Sequence, residues 1–256
     1  MQPHKNPKKL GGAKDSSFFL GLLGSLVALF LWWVFTNAAS ANTLFASFSP
    51  ARIPAAFASL LQRGVLLSDA LISLYRLLAG LTIAILLGLP LGLVLGLKGC
   101  TEQLSAPLIQ FFRMVSPLSW APIAVALFGV GSAPVIFLLA IAAIWPITFN
   151  TLSGVKALNP QHLQVAQTLG ASRTEIIKTV VIPSIRPYVL SGIRLALGIA
   201  WVIIVPAEML GVSSGLGYEI LNARDRLAYD EMLAVILLIG LLGICLDWLA
   251  QKLLSS

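Results

Sequence analysis

Apolar residues run in long blocks along this chain, and the polar residues between them are gathered into short clusters. An uncharged block fills residues 17–36, with FFLGLLGSLVALFLWWVF at its heart. A mixed stretch follows to Asp69, too polar to span a bilayer, in which residues 53–66 have the pattern of an amphipathic surface helix. The next apolar block, 73–97, contains Pro90, expected to kink it, and ends at Lys98. No charge occurs between Arg113 and Lys156. This region predicts helices over 104–128 and 133–151, joined by Gly129-Val130-Gly131-Ser132. Ser116-Pro117, Ala121-Pro122 and Trp145-Pro146 mark expected interruptions, which a membrane tolerates only against protein or a water-filled cavity. After a polar stretch over 156–188 come apolar blocks at 189–210 and 232–249, separated by a loop carrying NARDRLAYDE. Six spanning helices are expected.

Within the 73–97 block, Gly80, Ala84, Gly88, Gly92 and Gly96 recur every four residues. That spacing puts small side chains on one face and predicts close approach of a neighbouring helix. A sliding or gating seam is the functional alternative.

Composition strengthens the membrane assignment. Hydrophobic residues are 58% of 256 and charged residues 11%, against roughly 45–50% and 25% in soluble domains. A soluble fold of this length could not cover that much apolar surface. The first block is longer than the roughly 7–15 apolar residues of a signal peptide. Although Ala39-Ser40-Ala41 resembles a cleavage site, Trp32 and Trp33 suit an interfacial belt, so the block reads as a retained helix. Cys100 and Cys245 imply no disulfide and no metal site.

The net charge of +7 is distributed asymmetrically. With six spans, one side collects Lys5, Lys8, Lys9, Lys14, Lys98, Lys156, Arg173, Lys178, Arg186 and Lys252. The other holds Arg52, Arg63, Arg224 and Arg226, offset by Asp225, Asp230 and Glu231. Both termini and the 156–188 loop are therefore expected in the cytoplasm. The net charge is assigned to this orientation and not to a nucleic-acid partner.

The 156–188 loop has its own periodic structure, which ordinary connections lack. It predicts a helix over 161–169, a bend at Gly170, and a second helix over 174–182 stopped by Pro183. Its Gln164-Val165-Ala166, Gly170, Val180 and Ile182-Pro183 resemble the loop of bacterial ABC importer permeases, where Glu-Ala-Ala precedes a glycine, a spaced Ile and Leu-Pro. Ala166, Gly170 and Pro183 match; Gln164 and Val165 depart. The resemblance covers residues 73–249. It is most similar to the sulfonate, taurine, nitrate and bicarbonate branch, through residues 112–120 (FRMVSPLSW), 144–147 (IWPI), 207–209 (AEM) and 214–218 (SGLGY).

The resemblance implies an all-α membrane protein with a type I importer permease (MetI-like) core. The residue pattern gives a basic tail at 1–16 and a first span and extracytoplasmic amphipathic segment at 17–72, and the resemblance implies a permease core at 73–252. Gln164, Ala166, Thr168, Leu169, Gly170, Ala171, Ser172 and Pro183 become candidate contacts to an ATPase. Small side chains suit a helix that drops into a partner's cleft, and Gly170 allows the positive φ that ends the first helix. No G-x-x-x-x-G-K-[ST] sequence is present, so ATP and Mg are assigned to a separate subunit and no cofactor or catalytic residue to this chain. The implied partners are a second permease copy, two cytoplasmic ATPase subunits, an extracytoplasmic solute-binding protein and membrane lipid. The implied location is the bacterial inner membrane and the implied cargo a small anion.

Ionisable and polar residues inside spans mark a candidate pathway. Arg113 stands just before the Ser116-Pro117 break, either lining a path for anions or capping freed carbonyls. Glu208 either lines the outer gate or pairs with Arg224 or Arg226. Arg194 is expected to snorkel to the cytoplasmic interface. Ser116, Ser119, Trp120, Trp145 and Asn150 complete the set, each with helix packing as its plain alternative. An ion-coupled transporter or channel is the rival class, but no inverted repeat is evident, and Glu208 is the only carboxylate well inside an expected span.

Overall fold

A computed structural model describes residues 12–38, 47–97 and 99–254. Residues 1–11, the Ala39-Ser40-Ala41 tripeptide and Lys98 lie outside these, as does the side chain of Cys100; Cys245 is a free, exposed thiol.

Helix α1 (Gly12–Ala38) begins inside the expected tail. A single 3-10 turn, Pro50–Arg52, leads into α2 (Ile53–Gln62). Then come α3 (Val65–Leu97), α4 (Gly99–Met114), a 3-10 turn at Pro117–Trp120 and α5 (Ala121–Phe128). Helices α6 (Ser132–Lys156) and α7 (Pro160–Thr168) follow. Helix α8 (Arg173–Glu208) is continuous, and α9 (Leu216–Asp225) and α10 (Tyr229–Leu254) complete the chain.

Four of these, α3, α6, α8 and α10, are long and apolar enough to cross a membrane. The shorter apolar stretches are Leu23–Ala38 and Pro117–Phe128. The expected count of six is therefore met in number of apolar segments but not in length. The expected 104–128 helix is two pieces. It breaks at Val115-Ser116, because Pro117 forces the preceding residue into an extended conformation, and Ser116 has ψ 130°. Pro122 does not interrupt anything; it sits in the first turn of α5, where its missing N–H costs nothing.

Helix α6 is the centre of the fold. Over half of its apolar stretch is buried (56%), against 33% for α3 and 11% for α10. One side of α6 receives the glycine face of α3. A methyl group placed on Gly80 would lie 2.7 Å from Leu139 Cβ, and one on Gly92 would lie 2.6 Å from the Thr148 carbonyl oxygen. Thr148 also donates from its hydroxyl across the interface to the Gly88 carbonyl, at 3.2 Å. The four-residue glycine repeat is thus a packing seam. The other side of α6 meets α8, where Gly192 abuts Asn150 and the Pro146 carbonyl.

Two further proline expectations fail. Helix α6 passes Trp145-Pro146 without ending, because α3 and α8 clamp it on both sides. The Asn150 side-chain amide donates to the Pro146 carbonyl at 2.8 Å. Pro183 does not stop its helix either. The chain widens into one π-helical turn over Ile177–Val181 and resumes as an α-helix at Ile182, with Pro183 in its first turn. The wider turn accommodates a residue that cannot donate to the helical ladder.

The amphipathic segment forms α2 but ends at Gln62, and Gly64 (φ 70°) turns the chain into α3. Its apolar face is not left for lipid: Ala56 and Leu60 pack with Leu66, Leu216, Ala234 and Val235.

Candidate functional site: a lined cavity, an exposed hairpin and a buried ion-pair node

The first candidate region is a cavity of about 490 Å³ beside the break between α4 and the 3-10 turn. Arg113, Trp145, Phe149 and Asn150 supply its polar and aromatic lining, closed by Leu195, Ile199 and Ile203 from α8. The Arg113 guanidinium stands over the Phe149 ring, 5.0 Å from its centroid. Arg113, Trp145 and Asn150 are therefore brought together. Ser116 and Ser119 are exposed at the break and do not line this cavity. Trp120 lies against Phe112, with ring centroids 6.2 Å apart.

Glu208 is elsewhere. It is fully buried at the C-terminal end of α8, and its partner is neither Arg224 nor Arg226. Arg76 Nη1 donates to its Oε1 at 2.8 Å, the Ser73 hydroxyl lies 2.9 Å from both oxygens, and the Gly217 N–H donates to Oε2 at 3.0 Å. Arg76 spends its other donors on the Ser132 hydroxyl, the Ser214 carbonyl and the Ser214 hydroxyl. Asp69 accepts from the Gly215 N–H at 2.8 Å. Asp69, Ser73 and Arg76 share one face of α3 at helical spacing. Together they hold the start of α6, the end of α8 and the turn into α9. A buried pair is tolerated only when nearly every donor and acceptor is used, and here they are.

Arg76 and Asp69 were not singled out from sequence. The signal was present: an arginine one turn inside an apolar helix needs a carboxylate partner at its own depth, and Glu208 was the one on offer.

Arg224 instead pairs with its neighbour Asp225, and Arg226 with Glu219 and Glu231. Glu231 also accepts from Arg63, and that hydrogen bond raises the Arg63 pKa above its ordinary value. Arg194 pairs with Asp247 of α10 at 3.2 Å.

The second candidate region is the hairpin after α6. Asn159 caps α7 by accepting from the Gln161 N–H. Gly170 ends it with φ 79°, as its position predicts. Ser172 and Glu175 then form a capping box that starts α8. Gln161, Gln164, Val165, Thr168 and Leu169 line an open groove on α7. Leu169 is 81% exposed and Val165 59%. Ala166 and Ala171 are half-buried, and Ser172 and Pro183 exposed.

Residues 84–255 match the family described as binding-protein-dependent transport system inner membrane component. The chain belongs to that family. A putative ABC transporter permease protein of Methanocaldococcus jannaschii is 39% identical over 192 residues, covering 75% of this chain and 72% of that one. The taurine transport system permease protein of Escherichia coli is 35% identical over 175 residues, 68% of this chain and 64% of its own length. The nitrate import permease protein of Synechococcus elongatus is 38% identical over 180 residues, 69% and 64% of the two chains. A chain of the methionine ABC transporter in inward-facing conformations superposes with a TM-score of 0.64 at 17% identity, covering 77% of this chain and 95% of that one, which establishes a shared fold.

This ABC importer permease is an inner-membrane component and not an enzyme; ATP hydrolysis belongs to a separate subunit, and the family works with a binding protein. The ion-coupled transporter and channel alternatives are set aside by the same match. The matched region includes the Arg113 cavity, the whole α7 hairpin and, of the ion-pair node, Glu208 and the 214–217 turn, while Asp69, Ser73 and Arg76 precede it.

Proposed function

We propose that this chain forms the translocation pathway for a small anion of the taurine, nitrate or bicarbonate type, handed over by an extracytoplasmic binding protein. Two copies assemble face to face with two ATPase subunits, and both termini and the 156–188 hairpin lie in the cytoplasm. The core domain runs over 73–252.

The observation that carries this reading is the α7 hairpin. It is a helix with two large apolar side chains, Val165 and Leu169, held out from the fold beside small and polar ones. An exposed apolar pair of this kind is unexplained in an isolated chain and fits the cleft of a partner. Gly170 and the Ser172–Glu175 capping box fix the angle between α7 and α8. Because α8 continues without a break to Glu208, a push on α7 is passed along the helix to the node at the far end. Nucleotide-driven closure of the ATPase pair would thus reach both the Arg113 cavity and the outer turn. ATP and Mg act on the partner subunit, and this chain contributes no ligand to them.

The relatives named for taurine and nitrate import, and a bicarbonate permease of Synechococcus elongatus at 34% identity, support the anionic cargo. A cavity lined by the cationic Arg113 agrees with it.

The test is Gly170→Val, which places a β-branched residue at φ 79°. Co-purification with the ATPase and transport-coupled ATP hydrolysis should both fall sharply. Unchanged assembly and coupling would remove the hairpin from its role.

A further inference from the structure

The Arg194–Asp247 pair joins α8 to α10 on an open face of the fold. Residues 195–207 of α8 and 232–246 of α10 contain no charge, and the pair stands at the end of both runs, with Arg186 and Lys252 the next charges beyond it. Its side chains are 45% and 57% exposed. A cavity of about 730 Å³ opens beside it, lined by Ser191, Gly198 and Val202 as well as the pair itself. Leu195, Ile199 and Ile203 line both this cavity and the one holding Arg113. The two arginines therefore flank one continuous face of α8.

The bonding within the pair is loose. Nε and Nη2 of Arg194 both reach the same oxygen, Asp247 Oδ1, at 3.2 Å, and Oδ2 is 3.5 Å away. This is not the parallel two-oxygen fork of a tight arginine–carboxylate pair. Asp247 also has a second partner, since Gln251 Nε2 donates to its Oδ2 at 2.8 Å. If the guanidinium turned to another anion, Asp247 would keep a hydrogen bond.

We propose that Arg194 is an anion subsite in the inner part of the pathway, and that Asp247 is its resident counter-ion, displaced by the sulfonate, carboxylate or oxyanion group of the solute. The inference rests on the anionic cargo proposed above. Asp247 keeps the site neutral when empty and, by competing for the guanidinium, keeps bound anion from being trapped on its way to the cytoplasm.

Two measurements with taurine, nitrate and bicarbonate test it. The first is uptake by the assembled transporter with its ATPase and binding protein in proteoliposomes. The second is calorimetric binding of the same ions to the ATPase–permease complex alone. Asp247→Asn should tighten binding of the imported ion about two- to fivefold, the weight of an exposed ion pair. Arg194→Gln should weaken it about tenfold or more. The double variant, which leaves no unpaired charge, should stay as weak as Arg194→Gln. Recovery of wild-type binding in the double variant, or equal binding in all forms, would mean a purely structural pair and overturn the subsite. If the wild type imports one of the three ions while Arg194→Gln binds it normally, only the subsite fails. If the wild type imports none of them, the anionic cargo fails and the subsite with it.

Discussion

Arg76 Nη1 lies 2.8 Å from Glu208 Oε1, and both side chains are sealed from solvent. The two residues are 132 positions apart in the chain, on α3 and at the end of α8. Breaking such a pair leaves a buried charge without its partner. Arg76→Met and Glu208→Gln should each destabilise the protein by about 3–5 kcal/mol, read as loss of thermal stability in detergent. Arg76→Met with Glu208→Met should recover only part of this, because Ser73, Ser214 and the Gly217 N–H would still lose their partners.

Gly215 is held at φ 103°, and a methyl group on it would fall 2.5 Å from the Glu208 carboxylate. Gly215→Ala should cost at least about 1–3 kcal/mol from the backbone alone. Thermal melts of this variant should resemble those of Glu208→Gln.

The α3–α6 seam makes a similarly local prediction. Gly92→Ala brings a methyl group within 2.6 Å of the Thr148 carbonyl oxygen, whereas Gly24 of α1 has nothing within 4 Å. Gly92→Ala should destabilise by about 1–3 kcal/mol. Gly24→Ala should be neutral or stabilise by up to about 1 kcal/mol. Similar effects at both positions would argue against the seam.

These sites differ in how visible they were beforehand. The glycine repeat on α3 was legible, because four-residue spacing of small residues has one geometric meaning. So was Gly170, whose position at the end of a short helix demands positive φ. The break at Ser116-Pro117 was legible for the same local reason. Pro146 and Pro183 misled, because packing around α6 and the π turn in α8 absorb a missing donor that sequence alone reads as a stop. Arg76 was missed and Glu208 given the wrong partner, because the pair joins distant helices and nearer arginines were available in sequence. The α2 segment looked membrane-facing because its apolar stripe does not reveal whether lipid or α10 covers it.

Arg113 has its own test. Arg113→Met should abolish uptake of the imported anion while the complex with the ATPase assembles normally, since the side chain lines a cavity and stands over the Phe149 ring. Normal uptake would leave Arg113 a helix-break residue only.

Orientation can be read chemically. With Cys100 and Cys245 replaced by serine, a cysteine placed at exposed Leu169 should react with a membrane-impermeant maleimide only from the cytoplasmic side. One placed at exposed Gly64 should react only from outside. The reverse pattern would invert the topology.

The role proposed for the α7 hairpin is to pass the drive of an ATPase into this permease. Its most direct measurement is site-specific crosslinking from Leu169→Cys in the assembled transporter, using the same serine background. A crosslink to the ATPase subunit is expected, one that stops uptake and is released, with uptake restored, by reduction. An assembled, transporting complex in which Leu169→Cys reaches no ATPase subunit, or is crosslinked without effect on uptake, would contradict it.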